Sequence, residues 1–318
     1  MKKKENSLKY AMSLQGNVIL QGMVNRKTAR RYGRYGARFA DWLAGQGIKR
    51  ASQVKVAYGS MTAAVQAWAD SMAAAGMSAS TIHTYLSGVC KATGIPLGDI
   101  HKPRRVTADN VRGRGSGGGG RGRREAESGK YDRLLDFARR VGIRRAELAR
   151  LTGRDLVVDL DGVICVHVRK GKGGKEQLQA ILPADEQLVA SYFDGTDRRI
   201  FPDDVMNNRL NLHAIRAAHA RECYTYYAAM DPAQRAELWE RLQARYMAAG
   251  HTESEAAKWR REVETGGGVY RLRGASLDHA VKHGLPVAYD RLALMAVSVY
   301  HLSHWRLDVT VSNYMLAV

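Results

Sequence analysis

Between Lys102 and Lys130 the chain reads KPRRVTADNVRGRGSGGGGRGRREAESGK, and this stretch decides how the rest can fold. It is poor in large apolar side chains. Its glycine run offers nothing to bury, so it reads as a flexible connector and not as part of a core. A chain interrupted in this way has to build a core on each side, and 318 residues are enough for both. The sequence therefore predicts a domain over 1–101, a linker over 102–130 and a second domain over 131–318.

The charge balance narrows the partner. Fifty Lys and Arg against 31 Asp and Glu leave a formal net charge of +19. Such an excess calls for a polyanion, with nucleic acid ahead of an anionic membrane surface. The linker arginines Arg112, Arg114, Arg121, Arg123 and Arg124 can neutralise phosphates without reading sequence. A solubilising tether and an RNA-binding arginine–glycine segment are the other readings of this stretch. Because it joins two basic domains, we read it as a tether kept close to DNA. No apolar run is long enough to span a bilayer, and no signal-type core follows MKKKENSLKY, so the expected location is cytoplasmic. Cys90, Cys165 and Cys223 are widely spaced and lack metal-ligand spacing; they are expected to be reduced and mostly buried, with no structural zinc.

The front part has helical periodicity. Asn25 or Thr28 can cap a helix running to Ala44, with Tyr32, Tyr35, Phe39 and Leu43 on one face. Lys27, Arg30, Arg31 and Arg34 form a basic stripe on the other, either a solvated face or a surface that lies along a phosphate backbone. Ser60 and Ser78 can cap two further helices, closed by Gly76 and Gly94. In the back part, helices over Tyr131–Arg140 and Arg145–Leu151 precede strand-like sequence from Leu156 to Leu182, with KGKGG as a hairpin turn. Helices follow over Asp185–Phe193 and Leu210–Met230. A charged helical stretch over Pro232–Val263 is ended by Gly266, Gly267 and Gly268, and the last helices start near Tyr289 and Val309.

Metal-free phosphodiester chemistry needs a nucleophile in line with the leaving oxygen, cations on the non-bridging oxygens, and a proton donor for the leaving group. Arginine serves the oxygens because its planar fork is always charged. Tyrosine can store the bond as a covalent phosphotyrosine. The tail YHLSHWRLDVTVSNYMLAV offers Tyr314, ten residues after His304. The alternative for this tail is a buried helix with a tyrosine on its apolar face.

Four motifs resemble those of the tyrosine recombinases, the family of phage and mobile-element integrases and Xer-type recombinases. GIRRAEL (Gly142 to Leu148) is similar to the first-arginine box, which matches Arg144 to a catalytic arginine and Glu147 to a supporting acid. RKGKGGKE (Arg169 to Glu176) matches Lys172 to the general acid, flanked by Lys170 and Lys175 as DNA contacts. A P-loop reading of this stretch fails, because it lacks the required preceding Gly and following Ser or Thr. NLHAIRAAHA (Asn211 to Ala220) resembles the H-x-x-R box through His213 and Arg216. HLSHWRLDVTVSNY (His301 to Tyr314) supplies His304 and the nucleophile Tyr314, with His301 competing for the role of His304.

The resemblance implies a mainly α fold with a small antiparallel sheet, in which a SAM-like helical core-binding domain and a recombinase catalytic domain form a C-shaped clamp on duplex DNA. It implies site-specific recombination or integration for a bacterial mobile element, nucleoid association when acting, a tetramer on two DNA sites, and no metal or cofactor. A type IB topoisomerase and a non-catalytic DNA-binding regulator are the alternatives. The chain departs from the resemblance in three ways. The His304–Tyr314 interval is one residue longer than expected. An insertion over 230–288, whose YRLRGASLDHA carries a second candidate in Arg273, separates Arg216 from His304. The sequence stops almost at Tyr314, and with the extra residue this leads us to expect an unusual turn and a missing or replaced docking helix if Tyr314 is the nucleophile.

Overall fold

The computed structural model describes residues 7–12, 24, 26–105, 129–207, 210–248, 251–265 and 268–316. The chain divides into two compact units between Asp109 and Asn110, inside the expected linker. The linker arginines Arg112, Arg114, Arg121 and Arg123 lie outside the described residues. No helix among the described residues is long and apolar enough to cross a membrane.

The front unit is helical. Its main elements are α1 (Arg26–Ala44), α2 (Ala51–Tyr58), α3 (Met61–Ala74) and α4 (Ala79–Thr93). The expected caps are present: Ser60 and Ser78 accept from the backbone N–H groups of Ala63 and Thr81, and Gly94 closes α4 in the left-handed conformation. The sequence reading missed α2, which starts at Ala51 and contributes Val54 to the core. Only Val54 of its eight residues is buried, too little for an apolar period to show. Phe39, Leu43, Trp68, Met72, Ile82, Leu86 and Val89 fill the interior. Tyr32 and Tyr35 are only half-buried, whereas Gly33 and Gly36 face inward. Lys27, Arg30, Arg31 and Arg34 are exposed on the opposite face of α1.

Helices α1 and α4 approach closely at Gly88. A Cβ there would stand 2.7 Å from the Tyr35 ring and 3.3 Å from the Tyr32 Cα. Replacing Gly88 with alanine should therefore destabilise the front unit by about 1–3 kcal/mol, because overpacking outweighs the gain in helix propensity. Denaturant unfolding followed by tryptophan fluorescence checks this, and an unchanged or raised midpoint would contradict the contact.

The back unit starts with α5 (Asp132–Arg140) and α6 (Arg145–Leu148), followed by an antiparallel sheet, β1 (Leu156–Val158), β2 (Ile164–Val168) and β3 (Gln177–Ala180), in the order β1-β2-β3. Val166 pairs with both Leu156 and Gln179 across the sheet. Then come α7 (Glu186–Ala190), α8 (Leu212–Ala228), α9 (Pro232–Ala248) and α10 (Glu253–Thr265). After these, β4 (Val269–Arg271) and β5 (Ala288–Asp290) pair on either side of α11 (Ala275–Lys282). The chain continues through α12 (Arg291–Ala296) into a π-helical turn, Val297–His301. It ends with α13 (Leu307–Thr310) and a second π-helical turn, Val311–Met315.

Several expectations are corrected. The charged helical stretch from Pro232 comprises two helices, the second starting after Thr252, whose hydroxyl and backbone N–H both bond Glu255. Residues near Tyr289 form a strand, and the helix begins at Arg291, capped by the Asp290 carboxylate on the Ala293 N–H. The helices expected over Arg145–Leu151 and Asp185–Phe193 are shorter, Arg145–Leu148 and Glu186–Ala190. Within the 230–288 segment, Leu238, Trp239, Leu242, Leu272 and Ala280 belong to the same core as Ala217, Leu294 and Tyr314.

Candidate active site

Arg216 is the base of the site. It sits on α8, where the Asn211 side chain caps the helix by accepting from the Ala214 N–H. Only 2% of it is exposed, and it is the largest fully buried side chain among the described residues. A buried guanidinium needs acceptors for its N–H groups. Here they are main-chain carbonyls: Nη1 donates to Gly142 O, and Nη2 to Leu302 O at 3.1 Å. Its Nε has no partner among the described residues. The guanidinium carbon lies 5.7 Å from the centre of the Tyr314 ring. Burial pushes the Arg216 pKa down, while its interaction with Tyr314 opposes that shift.

Glu147 organises the opposite wall and is only 3% exposed. One carboxylate oxygen accepts from Arg144 Nη1 at 2.9 Å and from the backbone N–H of Lys172 at 3.2 Å; the other accepts from the Arg144 backbone N–H at 3.0 Å. A single buried carboxylate thus orients Arg144 and anchors the turn that carries Lys172. The turn depends on Gly171, where a Cβ would run into the Gln177 side chain and stand 2.9 Å from Lys175 O.

The third wall is the loop before α13. Ser303 adopts a positive φ of 55°, a conformation that costs a non-glycine residue free energy. It is tied to the sheet by a hydrogen bond from Gln179 Nε2 to its hydroxyl. Next to it, His304 Nδ1 accepts from the Arg306 N–H at 3.3 Å. That bond leaves the proton of a neutral imidazole on Nε2. The Nε2 atom is shielded and has no acceptor among the described residues. Burial, reinforced by Arg216, Arg144 and Arg306, pushes the His304 pKa down to about 4.

Arg144, Lys172, Lys175, His213, His304, Arg306 and Tyr314 line one cleft of about 810 Å³, together with Gln177, Ser303, Val309 and Asn313. The Tyr314 ring lies 5.6 Å from that of His213 and 6.5 Å from that of His304. Four segments far apart in sequence therefore meet around Tyr314, and Arg216 supports them from below. His301, the rival of His304, is fully buried between His219 and Tyr227 and does not line the cleft. Lys170, expected as a flanking contact, is exposed but lines a separate hollow with Arg150, Asp155 and His167. The β2–β3 turn carries Lys172 and Lys175 on towards Tyr314 and leaves Lys170 behind.

Tyr314 lies in a π-helical turn, in which Leu316 N–H donates to Val311 O, an i→i+5 bond of 3.0 Å. An unusual turn was expected at this position, and the backbone here is π-helical. Arg221 also fixes the turn, donating to Tyr314 O at 2.9 Å. The sequence reading missed Arg221, Gln179 and Arg306. Their contacts arise from tertiary approach and have no spacing signal, except that Arg306 stands two residues after His304. Comparison with models of protein families, with curated proteins and with solved structures returns no match.

The shifted His304 predicts a pH response. Its folded pKa of about 4 lies below the ordinary 6.5, so between these values the folded state holds fewer protons than the unfolded one. Its share of stability is complete above pH 6.5 and is lost as the pH falls towards 4. Denaturant unfolding at neutral pH and near pH 5 should show a smaller acid loss in His304→Asn than in the parent. Equal losses would place the titration elsewhere.

Proposed function

We propose that this protein cuts and rejoins DNA through a phosphotyrosine intermediate, as a site-specific recombinase or integrase of a mobile element. One observation carries the reading: Tyr314, Arg144, Lys172, His213 and His304, from four separate segments, line one basic cleft with Arg216 buried beneath it, in a chain of net charge +19. The four motifs that resemble the tyrosine recombinases are the same four segments.

In this reading Tyr314 Oη attacks the scissile phosphorus as the bond to the 5′ oxygen breaks, leaving a 3′-phosphotyrosine and a free 5′ hydroxyl. The tyrosine proton passes to a neighbouring imidazole, with His213 the nearer ring. Lys172 gives its proton to the leaving oxygen. Arg144 and Arg216 stabilise the charge that grows on the non-bridging oxygens. The His304 Nε2–H donates to one of them, an acceptor that the described residues do not supply. Rejoining is the reverse, with the 5′ hydroxyl of the partner strand as attacker. The clamp on duplex DNA and the tetramer on two sites belong to the same proposal. The exposed Arg30 and Arg34, with Lys175, would contact backbone phosphates.

A nicked suicide substrate trapped by loss of its 5′ fragment tests the reading. The parent should accumulate a covalent protein–DNA band, and Tyr314→Phe should bind DNA with no such band. A band that survives this substitution removes Tyr314 from the role. Plasmid relaxation without exchange between two sites would instead favour the topoisomerase reading.

The leaving-group role has its own check. Lys172→Ala should slow cleavage of ordinary DNA by about 10²–10⁴-fold. With sulfur in place of the bridging 5′ oxygen the loss should largely disappear, because a thiolate departs without protonation. Equal defects on both substrates would make Lys172 a binding residue only.

A further inference from the structure

Behind the cleft, and outside its lining, three side chains converge in the core: His219 and Cys223 on α8, and His301 at the end of the first π-helical turn. Their ligand atoms all lie within 4.8 Å of one another, and each residue is at most 1% exposed. His219 Nε2 stands 3.3 Å from His301 Nδ1 and 3.3 Å from Cys223 Sγ. Two imidazole nitrogens bound to one small cation at 2.0–2.1 Å are separated by about 3.3 Å at the tetrahedral angle and about 3.5 Å at the trigonal one, within a few tenths of an ångström of this pair. The remaining nitrogens are already engaged. His219 Nδ1 lies 2.9 Å from Arg139 O, which fixes its proton there and leaves the Nε2 lone pair facing the cluster. His301 Nε2 lies 3.0 Å from the Tyr227 hydroxyl. A carbonyl or hydroxyl behind each ligating histidine is the outer-shell arrangement that orients metal-bound imidazoles.

We propose that His219, Cys223 and His301 form a buried site for a thiol-seeking d10 cation, Cu(I) or Zn(II), with Cu(I) the better fit. Two neutral imidazoles and one thiolate balance a single positive charge. Arg216, three residues before His219 on the same helix, already places a cation nearby. Three ligands suit Cu(I), which thiolate and imidazole favour. On binding, the Cys223 thiol proton is released to solvent, and the His301 proton moves from Nδ1 to Nε2, where Tyr227 accepts it. Without the cation, the same atoms can form a hydrogen-bonded chain from Tyr227 through His301 and His219 to Arg139 O. The site ties α8 to the segment whose Leu302 carbonyl holds Arg216, so its occupancy would stiffen the floor of the cleft. The His219-x₃-Cys223 spacing sets both side chains on one helix face, a signal local in the sequence.

The test uses the full chain, reduced and stripped of metal by chelation, with no DNA present, so its outcome is independent of the recombinase reading. Cu(I) is titrated against a chromophoric Cu(I) chelator and, separately, Zn(II) against a zinc indicator. The parent should withdraw one equivalent and melt at a higher temperature when loaded, as should Cys90→Ser and Cys165→Ser. Cys223→Ser and His301→Gln should lose at least about tenfold in affinity. Because these variants alter a packed core, X-ray absorption at the metal edge of the loaded parent provides the second readout. A shell of one sulfur and two imidazoles with either cation supports the site. No withdrawal of either cation, or a shell of nitrogen and oxygen alone, overturns it.

Discussion

A buried guanidinium is the constraint on which the back unit depends. Moving the Arg216 charge out of water is costly unless its donors are met in good geometry. The groups that meet them are the carbonyls of Gly142 and Leu302, which are 160 residues apart in sequence and belong to two different walls of the cleft. Satisfying one side chain therefore fixes the distance between the Arg144 segment and the His304 segment. Gly142 is required by the same packing, since a Cβ there would stand 2.7 Å from His219 and 3.3 Å from His301 O.

Glu147 does the corresponding work at the surface of that core. As an almost fully buried acid it would be costly alone, and it is held by one guanidinium and two backbone N–H groups. Two cations of the cleft thus depend on one carboxylate. The other approach to the cleft, the loop at Ser303, keeps a positive φ because Leu302 behind it is held by Arg216 and Ser303 itself is held by Gln179. The strained position is imposed by its two neighbours.

What the sequence made legible follows from how local each signal is. Capping serines, the left-handed Gly94 and the β2–β3 hairpin are written within a few residues, and the structure has them. Of the six residues that the motifs single out, five line one cleft and Arg216 lies buried beneath it, and each stands in a short local motif. The packing of the 230–288 segment was not legible, because its charged surface hides sparse core positions, such as Leu238 and Leu242, that fill only in tertiary contact. His304 lines the cleft and His301 is buried in the core, a difference of burial that is not visible in a string of residues.

The π-helical turn at Val311–Met315 also bears on how such chains are compared. Bonding i→i+5 lets a helix take in an extra residue locally, while the segments on either side keep their directions. The cleft residues can then keep their positions in space while the residue count between them drifts. Sequence spacing and spatial register become separate quantities, and a comparison that scores intervals would penalise a turn of this kind for a residue that the backbone takes up locally.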